Sequence, residues 1–152
     1  KVIHGSPLFK NMTSWQIKKV VLTGRTKKYK KDEFIIKQGT RERVKYLILD
    51  GQVRVETAGV NGKVVPLVLL SHGDVFGEIA LVDEVERTAS VVALSDNTQV
   101  LEIDWPSLEK VGKWYPRISV KLFLNLSRIL GGRLASADRE IKTIKHVVQQ
   151  VI

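Results

Sequence analysis

The residues that could do chemistry are concentrated in one stretch of the chain, between positions 73 and 89. Gly73 and Gly77 lie four residues apart, Glu78 follows at once, and Arg87 comes nine residues after Glu78. Glycine allows the backbone to approach a ligand closely, and successive N–H groups in such a turn or at a helix start bind anions. Arginine adds a planar fork of donors that suits phosphate, whereas a carboxylate accepts hydrogen bonds from sugar hydroxyls. The stretch therefore indicates a site for a molecule with a phosphate and a free hydroxyl group.

The same stretch resembles a known motif. The run Phe76-Gly77-Glu78-Ile79-Ala80-Leu81, followed by Arg87-Thr88-Ala89, is similar to the phosphate-binding cassette of cyclic nucleotide-binding domains. That family includes the bacterial catabolite activator proteins, the regulatory subunits of cyclic-nucleotide-dependent kinases and the cyclic-nucleotide-gated channels. The resemblance extends from about Leu8 to at least Leu134, and it implies that the ligand is cyclic AMP or cyclic GMP.

The resemblance also implies a role for each residue of the motif. Arg87 would pair with the cyclic phosphate, and Glu78 would accept a hydrogen bond from the ribose 2′-hydroxyl. Thr88 would be permissive for both nucleotides, because a threonine here can bind guanine but also occurs in domains that answer to cyclic AMP. The ligand-binding residues implied for the motif are Phe76, Gly77, Glu78, Ile79, Ala80, Arg87, Thr88 and Ala89, and of these Gly77, Ile79 and Ala80 would act through their backbone N–H groups.

The motif departs from the family pattern just before the arginine. Many family members have proline there, where this chain has Glu86, and Asp83 and Glu84 lie close by in the sequence. Carboxylates that faced the phosphate would repel it. We therefore expect these three side chains to face solvent at the tip of the loop.

The purine base needs contacts from outside the motif. In the family they come from a long C-terminal helix of the same subunit or of a partner, and the candidates here are Arg133, Ser136, Ala137 and Asp138. Arg133 could stack on the purine, and Asp138 could accept a hydrogen bond from an exocyclic amine. The alternative is that both side chains belong to a solvated helix face.

Short runs of β-branched and aromatic residues form the elements that would position the motif. Val53-Arg54-Val55-Glu56 alternates between apolar and polar residues, as a half-buried strand does. Turn signals such as Asp50-Gly51 and Asn61-Gly62 separate the runs, which cover residues 34–36, 46–49, 53–55, 64–70, 89–93 and 100–103. We predict a mainly β fold of the α+β class, an eight-stranded jelly-roll β sandwich with N-terminal helices and a long C-terminal helix.

Helical patterns flank the predicted strands and suggest three regions. Residues 1–27 would form a helical lead-in, residues 28–104 the β roll, and residues 105–152 the C-terminal helices that act as lid and dimerisation element. The last helix contains Gly131-Gly132, a candidate hinge. Beyond it lies an apolar seam with the spacing of a coiled coil, formed by Ala137, Ile141, Ile144, Val148 and Val151. We predict a homodimer through this seam, the alternative being that the seam packs back on the β domain.

Composition excludes several classes of function. The 152 residues include no cysteine, which excludes disulfides and thiolate metal sites. The three histidines are scattered and no nucleophile–base set stands out, so we predict neither a metal cofactor nor an enzyme. No apolar run reaches the ~20 residues of a membrane span, and we predict a cytoplasmic protein.

The net charge of +9 would suit a polyanionic partner. No DNA-reading motif accompanies the charge, so nucleic acid is not expected as a partner of this chain alone. Three functions remain open. The preferred one is a cyclic nucleotide sensor, and the others are a ligand-free dimerisation module on the same fold and the ligand domain of a transcription regulator whose DNA-binding part is missing.

Overall fold

The computed structural model describes residues 3–77 and 86–151. Within these ranges two four-stranded antiparallel sheets pair in the orders β1-β8-β3-β6 and β2-β7-β4-β5. The strands are β1 Arg25–Tyr29, β2 Phe34–Ile36, β3 Val44–Asp50, β4 Gln52–Ala58, β5 Val64–Ser71, β6 Val75–Phe76, β7 Ser90–Ala93 and β8 Thr98–Asp104. Eight strands in two facing sheets confirm the predicted β sandwich.

Two apolar cores result from the alternation of side chains along the first sheet. In β3, Tyr46 and Ile48 point into the sandwich, whereas Leu47 points to the outer face of the sheet. The inner core consists of Ile35, Ile36, Tyr46, Ile48, Val53, Phe76, Val91, Ala93 and Val100. The outer core lies between the sheet and the helices, so that this sheet is buried on both faces.

Three helices cover the outer face, and their caps can be read from the sequence. α1 spans Ser14–Val21 and begins with a capping box in which Thr13 and Gln16 exchange hydrogen bonds. α2 spans Trp105–Trp114, and Asp104 caps it by accepting from the backbone N–H of Ser107. α3 spans Pro116–Val151 without interruption. Ser6 also caps a short 3₁₀ turn at Pro7–Phe9, in the predicted lead-in.

Two strands lie where the sequence showed no strand pattern. β1 begins at Arg25, before the predicted start of the β roll at residue 28, and its sequence Arg25-Thr26-Lys27-Lys28-Tyr29 is strongly basic. Four of its five residues are exposed, and it forms the edge of the sheet next to β8. An exposed edge strand has no buried face to produce an apolar alternation. β6 has only two residues, too few for any period.

Candidate functional site

A cavity of about 870 Å³ opens between the β roll and α3. Its volume lies within the range of about 300–1,000 Å³ that is typical of small-molecule sites. The apolar part of its wall comes from the strands and includes Ile36, Val55, Val68, Leu70, Phe76 and Val91. Eight of the residues implied by the motif or proposed for the base line this cavity, namely Phe76, Gly77, Arg87, Thr88, Ala89, Arg133, Ser136 and Ala137.

Among the described charged residues that line the cavity, Arg87 is the most buried. Its side chain is only 7% exposed. Its Nη1 donates a hydrogen bond to the carbonyl of Gly77 at 2.8 Å, and Nη2 donates to the carbonyl of Val44 at 2.6 Å. Two carbonyls of different strands or loops therefore fix the plane of the guanidinium group, which is the condition for directed binding of an anion.

Gly77 brings the backbone close to this guanidinium. Its φ is +74°, a conformation that glycine adopts at little cost. A Cβ atom here would lie 3.0 Å from Nη1 of Arg87, 3.1 Å from the carbonyl oxygen of Val44 and 3.2 Å from Tyr46. A side chain here would force one of these neighbours to shift, so the close packing around Gly77 favours glycine in addition to its positive φ.

Two stacked aromatic rings lie next to the Gly77 turn. Phe76 stacks on Tyr46 with ring centroids 4.9 Å apart and an interplanar angle of 6°. Burial, aided by the charges of Glu102 and Glu42, raises the pKa of Tyr46 above its usual value. The Tyr46 phenol is therefore neutral at physiological pH, and no negative charge from it opposes an anion near Arg87.

Hydrogen bonds to backbone carbonyls position α3 across the cavity. The buried amide of Asn125 donates to the carbonyls of Leu8 and Lys10 at 2.8 and 2.9 Å. One turn further on, Arg128 donates to the Oδ1 atom of Asn125, and Arg133 donates to the carbonyl of Val75. This last bond ties α3 to β6, directly before the Gly77 turn.

Asp138 is not among the residues that line the cavity. It is exposed on α3, and at 100° per residue it points away from the side shared by Arg133, Ser136 and Ala137. Glu140, seven residues after Arg133, lies on the lining side instead. The sequence signal for Glu140 is its spacing of seven residues, or two helical turns, from Arg133. In the same way Arg128 and Ile129 lie three and four residues after Asn125, on the same side of α3.

The ribose end of the motif falls partly outside the described residues. Glu78, Ile79 and Ala80, for which the sequence implies contacts to the sugar and phosphate, lie in the gap between residues 77 and 86. Asp83 and Glu84 lie there too. Glu86 is exposed, yet it also lines the cavity, so one of the three carboxylates expected at the loop tip stands at the edge of the site.

The described lining residues have a slight excess of positive charge. Lys10, Arg87, Arg128 and Arg133 are basic, whereas Asp74, Glu86 and Glu140 are acidic. Asp74 already accepts a hydrogen bond from the backbone N–H of Ser71 at 3.0 Å. The arrangement suits a ligand that is anionic at one end, near Arg87, and has donor groups near α3.

Two kinds of site are not found in the described part of the chain. Residues 3–77 and 86–151 contain no group of three or more metal-ligating side chains. None of their helices has the length and apolar character to cross a membrane.

Known proteins with sequences similar to this chain agree with a small-molecule site in this cavity. Residues 26–113 match the family described as "Cyclic nucleotide-binding domain". The cyclic AMP receptor protein of Thermus thermophilus is 31% identical over 139 residues, which are 91% of this chain and 62% of that protein. A cGMP-dependent protein kinase of Drosophila melanogaster is 34% identical over 111 residues, 72% of this chain and 14% of the kinase.

A solved structure extends the similarity to three dimensions. The crystal structure of the Thermus thermophilus catabolite activator protein has a TM-score of 0.82 and 30% sequence identity, and the match covers 92% of this chain and 63% of that one. This chain therefore spans about three-fifths of that regulator and a much smaller part of the kinase.

Proposed function

Because the chain belongs to the cyclic nucleotide-binding domain family, we propose that it is a regulatory sensor domain for cyclic AMP or cyclic GMP, and not an enzyme. The ligand occupies the cavity between the β roll and α3. The observation that carries this proposal is the buried guanidinium of Arg87, held by the carbonyls of Gly77 and Val44 on the cavity wall. A fixed fork of donors in a partly desolvated site suits a cyclic phosphate.

The rest of the ligand follows from the placement of the phosphate. The ribose hydroxyl binds Glu78, as the family resemblance implies. The base extends toward α3, where Arg133 offers a planar cation for stacking and Glu140 offers an acceptor for an exocyclic amine. Thr88 is exposed on the cavity wall and accommodates either purine.

The signal is carried by α3. This helix contacts the ligand through one segment and continues for more than ten residues beyond Glu140. A ligand that binds better when α3 is closed over the cavity shifts the equilibrium toward the closed state by its difference in affinity. The second half of α3 then changes its orientation, and a partner domain or a second copy reads that change in the cytoplasm.

Isothermal titration calorimetry with cyclic AMP and cyclic GMP side by side tests the proposal. We expect saturable heat with at least one of the two and none with 5′-AMP, whose extended phosphate does not have the cyclic shape. Absence of heat with both cyclic nucleotides at millimolar concentration would favour the ligand-free dimerisation module.

A second candidate function is the ligand domain of a transcription regulator. The similarity to the Thermus thermophilus cyclic AMP receptor protein favours it, because the match covers nearly all of this chain but only 62% of that protein. The sequence of the complete gene decides the matter. A helix-turn-helix segment after residue 152 supports the regulator, and a kinase or channel segment elsewhere rejects it.

A further inference from the structure

The net positive charge of the protein comes from one end of the sequence. Residues 1–31 contain nine lysines and arginines and no acidic residue, while residues 32–152 contain 16 basic and 16 acidic residues. The whole net charge of +9 therefore comes from the first fifth of the chain. The ligand cavity uses only Lys10 of this segment.

The helix in this segment exposes an apolar and basic stripe. Ile17 and Val20 of α1 are buried against the outer core. Trp15, Lys18 and Leu22 follow one another at helical spacing on the exposed side, and Trp15 is 53% and Leu22 69% exposed. A tryptophan and a leucine exposed beside lysines are typical of helices that lie on a membrane surface.

The junction of α2 and α3 continues the stripe. Trp15 packs edge-on against Tyr115, with ring centroids 5.2 Å apart. The ammonium group of Lys19 lies 5.1 and 5.3 Å from these two rings. Trp114, which precedes Tyr115, is 75% exposed. Both exposed tryptophans thus neighbour Tyr115, Trp15 in space and Trp114 in the sequence.

Further basic side chains lie close to these aromatic residues in the sequence of α1, α2 and the start of α3. We call the surface the basic aromatic face and define it by the aromatic and apolar residues Trp15, Leu22 and Trp114 with the basic residues Lys18, Lys19, Lys110, Lys113 and Arg117. Its acidic neighbours are Asp104 and Glu109. Against these two carboxylates the five basic residues leave an excess of positive charge.

We propose that the basic aromatic face binds the surface of a membrane rich in acidic phospholipids. Lysines and arginines next to an anionic bilayer each strengthen binding, and tryptophan prefers the interface between headgroups and acyl chains. Nucleic acid would use the same charges. It would not account for Leu22 and Trp114, because an isolated leucine gains nothing from a phosphate backbone, whereas both side chains can insert among lipid headgroups.

The face and the cavity are separate along α3. Arg117 belongs to the face and Ile129 to the cavity, and twelve residues of helix place them about 18 Å apart. The domain can therefore hold a cyclic nucleotide and a bilayer at the same time, and the proposal holds whether or not the cavity binds its ligand.

Co-sedimentation of the 152-residue chain with vesicles tests the proposal. We expect binding to vesicles with about 30% phosphatidylserine, none to pure phosphatidylcholine, and a steep loss when salt is raised well above about 0.15 M. Lys18→Gln with Lys113→Gln should lower the affinity by at least about tenfold, since each charge near the surface is worth about fivefold. Trp114→Ala should lower it as well.

Matched controls distinguish vesicle binding through the basic aromatic face from a general effect of the protein's positive charge. Lys142→Gln with Lys145→Gln removes two lysines from the exposed distal part of α3 and should leave vesicle binding unchanged. The proposal is overturned if acidic vesicles do not sediment the protein, or if the two lysine pairs have equal effects. It is also overturned if duplex DNA binds more tightly than the vesicles and Trp114→Ala leaves both affinities unchanged. Circular dichroism of each variant confirms that it is folded.

Discussion

Arg87 holds the most constrained position on the cavity wall, and its replacement tests the phosphate site directly. Arg87→Lys retains the positive charge but not the planar fork that reaches Val44 and Gly77 together with a phosphate. We expect cyclic nucleotide affinity to fall about 10- to 100-fold, the value of one charge-assisted hydrogen bond. Titration calorimetry measures it.

Arg54→Lys is the matched control for Arg87. Arg54 pairs with Glu56 and does not line the cavity, so this variant should bind as the wild type does. Equal affinity of Arg87→Lys and the wild type would remove Arg87 from the phosphate site.

Alanine substitutions at Gly77 and Gly62 can distinguish the cost of backbone strain from the cost of steric contact with Arg87. Both have positive φ values, +74° and +73°, but a Cβ at Gly62 would meet nothing within 4 Å. Alanine at either position costs about 1–2 kcal/mol for the left-handed backbone. Gly77→Ala should cost more and should also weaken nucleotide binding, because its Cβ pushes against Nη1 of Arg87.

Urea unfolding and calorimetry on both variants measure the difference. Gly62→Ala should lose stability and keep its affinity for the nucleotide. If the two variants lost equal stability and both kept full affinity, the close approach of Gly77 to Arg87 would have no functional meaning.

The N-terminal cap of α2 predicts a pH-dependent stability. Hydrogen bonds from Ser107 hold the pKa of the Asp104 carboxyl below its ordinary value of 3.8. A lowered folded pKa means that the stabilisation is present above about pH 4 and is lost as the pH falls through the folded pKa. Asparagine also caps helices but does not titrate.

We therefore expect the stability of the wild type relative to Asp104→Asn to be constant from pH 7 to about pH 5 and to decline as the pH falls below about pH 4. Asp104→Ala, which lacks a cap, should lose about 1 kcal/mol at pH 7. Thermal unfolding across this pH range measures both effects. A wild-type advantage over Asp104→Asn that stayed constant with pH would show that the ionised cap contributes nothing.

The glycine pair in α3 allows the proposed signal to be tested. Gly131 and Gly132 lie in continuous helix, and a Cβ at either position would meet no atom within 4 Å. Alanine at both should stabilise the helix by about 1 kcal/mol per position. If the pair is the hinge, the cyclic-nucleotide-dependent change in amide exchange beyond residue 132 should become smaller in the double variant.

A suitable control is Ser127→Ala, one turn earlier on the exposed side of α3. It should leave the ligand-dependent exchange unchanged. If the nucleotide-dependent change in amide exchange in the double-alanine variant were as large as in the wild type, the glycine pair would not be a hinge and α3 would move as one rigid helix.

The elements differ in how far they could be predicted from sequence, and the reason is physical. β3, β4, β7 and β8 bury apolar side chains, and their pattern marks them in the sequence. β1 buries almost nothing, so its five residues read as a basic cluster. In α3 the residue type alone suggests Asp138 as an acceptor for the base, but the helical period, which is set by the backbone, places Glu140 on the cavity side.

At the scale of the whole molecule, the first part of α3 is packed against the rest of the domain and the second part is exposed to solvent. The first part of α3 packs on the outer core through Ile118, Leu122 and Leu126, whereas every described residue from 131 to 151 is exposed. The helix is about 54 Å long at 1.5 Å per residue. Ile141 is 51%, Ile144 62% and Val148 49% exposed, so within one copy the seam does not pack back on the β roll.

A second copy of the chain is the simplest partner for this seam, and one substitution on each side of the helix can test it. Ile144 occupies a core position of the heptad, while Thr143 occupies an outer position one residue earlier. Ile144→Glu would place two carboxylates against each other across a two-fold axis, so we expect the dimer to dissociate. Thr143→Glu adds the same charge outside the seam and should leave the dimer intact.

Sedimentation equilibrium measures the mass of both variants and of the wild type. A wild-type chain that is monomeric at high concentration, or two variants with the same association state, would mean that the seam serves a different partner.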